Sequence, residues 1–184
     1  MSLVFNYKTS TWEDLKIPTY DKKMTPKQRM KMRVSIAKDV LKMIAADKIE
    51  PTHGTYLDGV GVGSFSKTSR AQLDAKLKRA KCEVCALGSL FVAEVIKNDK
   101  LTCGIFAQAS DLDRQGAMRE RLAPFFTVEE LESIEGAFEG RDYGDKPCGA
   151  TDTLTKIMNI IIKNDGEWKP RQLGKKWFCS ETSY

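Results

Sequence analysis

The chain has 184 residues, enough for one domain with a real core, and its 41% hydrophobic and 30% charged composition is that of a globular protein in water. No apolar run reaches the roughly 18 residues of a membrane-spanning helix, and Met1–Lys8 lacks the charged start and long apolar centre of a signal peptide. Five cysteines, an odd number, predict reduced thiols in a cytoplasm, and a net charge of +5 admits nucleic acid, an acidic protein or a small anion as partner.

Residues 1–24 show no clear period and read as an arm, with Val4–Tyr7 able to form a short edge strand. Thr25 followed by Pro26 is a helix start: a capping hydroxyl, then proline at the first helical position. That helix is expected to run to about Lys48. Met30, Val34, Ala37, Val40, Leu41 and Ile44 form its apolar stripe, and Lys27, Arg29, Lys31, Arg33, Lys38 and Lys42 most of the remainder. Such a basic face suits a phosphate backbone, although solvated basic faces are commoner.

The stretch from Glu50 to Ser69 is a long glycine-rich loop holding the single histidine. Backbone amides beside glycine approach anions closely, and hydroxyl and cationic side chains add donors. The candidate ligand-binding set is therefore His53, Gly54, Tyr56, Gly61, Gly63, Ser64, Ser66, Lys67 and Arg70. The Gly59-x-Gly61-x-Gly63 spacing is neither a Walker motif nor a dinucleotide fingerprint. A β-hairpin over His53–Val62, turning at Asp58-Gly59, is the structural alternative.

A basic helix from Arg70 to about Ala80 is expected next, bending near Lys81 into a second helix over Cys82–Ile96. Val84, Leu87, Phe91 and Val95 recur at helical steps there, and Leu90, Val92 and Ile96 widen the apolar surface most of the way round. A helix that apolar belongs at the centre of the domain. Cys82-x-x-Cys85 has metal spacing, but zinc needs about four ligands and no second such pair exists. Buried thiols are the simpler reading, and a Cys85 nucleophile with His53 as base rests on inventory alone.

Ser110 to about Leu122 reads as a short helix with Leu112, Met118 and Leu122 inward, stopped by Pro124. Thr127 and Glu130 make a capping box for a helix whose core side is Val128, Leu131, Ile134, Ala137 and Phe138. Its outer face carries Glu129, Glu132, Glu135 and Glu139, expected in solvent. A last helix runs from about Thr151 to Asn164, with Leu154, Ile157, Met158, Ile161 and Ile162 inward, and ends at Asp165-Gly166. The tail from Glu167 sets Trp168, Trp177 and Phe178 among basic residues, which suits either base stacking or anchoring on the domain.

Cys-x-Val-Cys-Ala-Leu-Gly-x-Leu-Phe from Cys82, the segment Phe126–Gly140 and the segment Lys156–Pro170 together resemble a family of small proteins encoded by bacteriophages and prophage-like islands. The likeness runs from about Val34 to Pro170. It implies an accessory protein that acts on host machinery, antiviral defence included, inside the host cytoplasm.

The expectation is thus a mainly α domain of five or six helices over 25–166, with an arm at 1–24 and a basic, aromatic tail at 167–184. Function is expected to be binding rather than catalysis, without a cofactor or metal. The partner is a host protein or an anionic, nucleotide-like small molecule; nucleic acid is the alternative, and a zinc or cysteine enzyme the second. No membrane is involved, and a homo-oligomer is compatible.

Overall fold

A computed structural model describes residues 3–6, 11–14, 24–55, 57–60, 81–99, 114–140 and 149–173. Among them the fold is mainly α. A hairpin, β1 (Leu3–Asn6) with β2 (Thr11–Asp14), pairs Leu3 with Asp14 within the segment expected to be an irregular arm. Helix α1 spans Pro26–Ala45. A three-stranded sheet follows from β3 (Ile49–Pro51), β4 (Leu57–Val60) and β5 (Lys81–Val84), in the order β3-β5-β4. Then come α2 (Ala86–Asp99), α3 (Arg114–Leu122), α4 (Val128–Glu139), α5 (Ala150–Lys163) and a 3-10 turn at Pro170–Leu173.

The apolar run is central, as its composition dictates. Every residue from Val84 to Val95 is buried, and α2 packs against α1, α3, α4, β3 and β5. Its start, however, is four residues later than expected. Lys81–Val84 alternates half-buried and buried positions, the period of a strand, with Cys82 and Val84 facing inward. The chain therefore turns at Cys85 from strand to helix, and no helix covers Cys82–Val84.

The hairpin expected at Asp58-Gly59 is also corrected. Both residues lie inside β4, which pairs antiparallel with β5 (Leu57 with Val84, Val60 with Lys81), while β3 runs parallel to β5 (Ile49 with Cys82). The strand pairs instead with β5, whose own Cys82 and Val84 are buried in the core. The helix expected over Arg70–Ala80 lies outside the described residues.

The helix starts predicted at Thr25 and at Thr127 both hold. Thr25 Oγ1 accepts from the Gln28 amide at 3.2 Å and Gln28 Oε1 accepts from the Thr25 amide at 2.9 Å. Thr127 and Glu130 exchange the same pair of bonds, at 3.2 and 2.9 Å. Phe125 and Phe126, ahead of that cap, are buried, as are Met118 and Leu122 on α3.

Two ion pairs tie the helices together, one partly and one fully buried. Arg33, expected on the solvated basic face of α1, is buried. Its Nη1 and Nη2 donate to the Glu130 carboxylate at 2.7 and 2.5 Å, and its Nε donates to the Phe125 carbonyl at 2.6 Å. Its guanidinium also lies 4.9 Å from the centre of the Phe126 ring. Glu130 thus closes the α4 cap and receives α1 in one side chain. Between α2 and α3, Arg121 Nε donates to Glu94 Oε2, with both side chains fully buried.

Candidate functional site

The glycine-rich loop is described only at its root. Past β3, the Thr52 amide donates to the Val84 carbonyl at 2.9 Å, and the chain turns at His53 and Gly54, the latter at φ +76°. Here it meets the C-terminal end of α4. The His53 ring stacks on Phe138, with centroids 4.6 Å apart and a 38° tilt. The Gly54 amide donates to both carboxylate oxygens of Glu139, each at 3.1 Å. The amide proposed for a bound anion does hold one, and it is the protein's own glutamate. Both ring nitrogens of His53 are occluded and have no hydrogen-bond partner among the described residues. Tyr56, Gly61, Gly63, Ser64, Ser66, Lys67 and Arg70 lie outside the described residues, so only His53 and Gly54 of the candidate set are placed.

The neighbourhood of His53 and Gly54 is acidic. Glu139 is half-buried, and Glu135, expected in solvent, is buried with its carboxylate 3.8 Å from Arg119 Nη2. Arg119 Nη1 also donates to Glu132 at 3.1 Å. Helical spacing explains Glu135: it stands four residues after Leu131 and three before Phe138, on the inward face.

Cys82 and Cys85 are both reduced and buried. The Cys85 thiol is pushed from the ordinary 9.0 up to about 12, first by burial. The Gly88 amide, donating to Sγ at 3.4 Å, pulls the other way, and the Glu135 and Glu139 carboxylates push it up further. A nucleophile needs the thiolate, and this site opposes it. Among the described residues no three His, Cys, Asp or Glu side chains converge as metal ligands.

This environment makes a prediction. In folded protein at pH 8, iodoacetamide followed by peptide mass analysis is expected to leave Cys85 unlabelled, and urea to expose it. Between the unfolded value near 9.0 and the folded value near 12 the native state keeps a proton that the unfolded chain releases. Stability therefore falls as pH rises through that window, and Cys85→Ala should flatten the decline. Rapid labelling of the folded chain at Cys85 would contradict the shift.

The basic face of α1 is smaller and better ordered than its composition suggested. Arg33 points inward and Arg29 is half-buried, but Lys27, Lys31, Lys38 and Lys42 are exposed. At 100° per residue these four fall within roughly 60° of arc. Lys42 pairs with Asp39 at 3.1 Å, and Lys97 of α2 reaches the same aspartate at 3.2 Å. Among the described residues, Lys27, Lys31 and Lys38 have no ion-pair partner.

In the tail, Trp168 is an anchor: it is buried, and its Nε1 donates to Ser133 Oγ at 2.9 Å. Trp177 and Phe178 lie outside the described residues. An open groove of about 420 Å³ runs between α5 and the 3-10 turn, lined by Lys156, Asn159, Ile160, Lys163 and Gln172. Lys156 Nζ is turned to the Leu173 carbonyl there, at 2.5 Å.

No helix among the described residues is long and apolar enough to cross a membrane. No protein-family model, curated protein or solved structure matches the chain.

Proposed function

We propose that this chain is a non-enzymatic binding protein of the phage accessory kind. It inhibits a host factor, such as a component of antiviral defence, by binding a protein or by sequestering a nucleotide-like signal. The observation that carries the binding reading is the division of charge. Inward-facing charges are held in pairs, Arg33 with Glu130, Arg121 with Glu94 and Arg119 with Glu135, whereas four lysines of α1 stand together in solvent, of which only Lys42 is ion-paired among the described residues. Paired charges hold the scaffold, and an ordered cationic surface on a rigid helix attracts an anionic partner. The host-factor half of the proposal rests on the family resemblance.

Native mass spectrometry of protein purified from cells, set against the denatured mass, tests the reading. A nucleotide-sized excess, recovered intact after incubation, supports sequestration. A bare mass together with a specific host protein retained at physiological salt supports the protein-binding branch. Consumption of the bound molecule over repeated turnovers would sink the non-enzymatic reading.

A further inference from the structure

The four lysines of α1 define more than net charge. Lys27 and Lys31 are one helical step of about 6 Å apart, as are Lys38 and Lys42, and the whole row extends about 22 Å along the helix axis. Asp39 is the helix's sole acidic residue, and it lies outside the arc, roughly 60° past Lys42. The N-terminal end of the helix, the positive end of its dipole, is at the Lys27 end. The apolar side of the same helix (Ile36, Ala37, Val40) is sealed in the core, so α1 meets a partner by its exposed side, where this row lies.

We propose that the row is a docking face for duplex DNA, bound along its phosphate backbone without reading sequence. This rests on the reading of the chain as a binding protein and goes beyond it, adding a partner that is neither the host protein nor the nucleotide-like signal named above. Three features select that partner. Lysine is depleted from protein–protein interfaces, which rely on aromatic and apolar anchors, and the arc presents no aromatic side chain and no exposed large hydrophobic one. The same lack disfavours a lipid surface, which takes an amphipathic helix by its apolar face; here that face is occupied. Single strands are held by aromatic stacking, and duplex RNA by contacts that include its 2′-hydroxyls. A row of ammonium groups supplies neither a stacking platform nor an acceptor. What it supplies is a line of point charges, and a phosphate backbone asks for nothing else.

The magnitude follows from counterion release. Neutralising four phosphates gives a slope of log K against log salt of about −3.6, so affinity should fall about a hundredfold between 50 and 200 mM salt. The test uses the full chain and a 30-base-pair DNA duplex of arbitrary sequence, read by fluorescence anisotropy across that range. The variant Lys31→Gln/Lys38→Gln should weaken binding more than tenfold at 50 mM salt and reduce the slope by about 2. The control Lys163→Gln, which removes an exposed charge from α5, should leave the slope unchanged. Circular dichroism establishes that each variant is folded.

No DNA binding at 50 mM salt overturns the proposal. So does a double variant that binds like the parent, an equal loss in the Lys163 control, or equal or tighter binding to duplex RNA, polyglutamate or phosphatidylserine vesicles. If DNA fails while a nucleotide or host protein binds, the DNA proposal falls and the broader binding reading stands. If every probe fails, both fall.

Discussion

Glu94→Leu is expected to destabilise the protein by about 3–5 kcal/mol, the cost of breaking a buried ion pair by removing one member. Glu94 sits near the middle of the most buried helix of the fold, and Arg121 meets it from α3 with its side chain equally shut off from solvent. Neither charge can turn to water when the other is removed. Arg121→Met should cost a similar amount for the same reason. Changing both at once replaces two charges by apolar side chains of comparable length, so the double variant should lose less than either single variant. Urea denaturation of the parent, both single variants and the double variant closes the cycle. Single losses below about 1 kcal/mol, or a double loss equal to their sum, would mean that the two side chains are not held as a buried pair.

That pair marks where sequence reasoning reached its limit. Apolar periodicity located α1, α2, α4 and α5, and the caps at Thr25 and Thr127 located two of their starts. It misplaced charged residues that sit on apolar faces. Arg33 lies four residues before Ala37 and seven before Val40, and Glu135 four after Leu131, so spacing alone put both on the inner side. Their charge argues for solvent and their position for the core, and the partners that neutralise them do not show in the sequence because they are remote in it: Glu130 is 97 residues from Arg33. The strand at Lys81–Val84 was missed for a related reason. Its polar–apolar alternation is only four residues long and runs straight into a helix, so Val84 fitted the helical stripe equally well.

The same limit separates what was legible about function. The lysines of α1 were read from the sequence as a basic face, but only the burial of Arg33 and the partial burial of Arg29 reduced that face to an aligned row. At the loop root the chemistry expected of glycine is present: the Gly54 amide donates to a carboxylate. It was the identity of the anion that escaped, since Glu139 is 85 residues away. An external anion at Gly54 would have to displace Glu139, which places electrostatic weight on α1 rather than on this turn.

Gly166→Ala is expected to cost about 3 kcal/mol or more, through backbone strain and backbone collision together. The residue stands at φ +101°, a region that side chains rarely adopt, just past the end of α5. Its amide donates to the Ile161 carbonyl at 2.8 Å, closing the helix, and its carbonyl accepts from Arg33 Nη1 at 3.3 Å. A methyl group built there would stand 2.5 Å from the Met30 carbonyl oxygen and 3.0 Å from its carbonyl carbon and Cα. These are main-chain atoms of α1, held by helical hydrogen bonds, and no rotamer change can relieve the contact. To admit the methyl group, α1 must move away from α5 and carry Arg33 away from Glu130 and Phe125. Thermal unfolding of Gly166→Ala should therefore show a large fall in Tm. Gly54→Ala is the comparison, because it too has positive φ, at +76°, but nothing lies within 4 Å of an added methyl group. It should lose only the strain, of order 1 kcal/mol. Equal losses at the two glycines would show that the approach of α1 to the end of α5 is looser than this geometry, and with it the seat of Arg33.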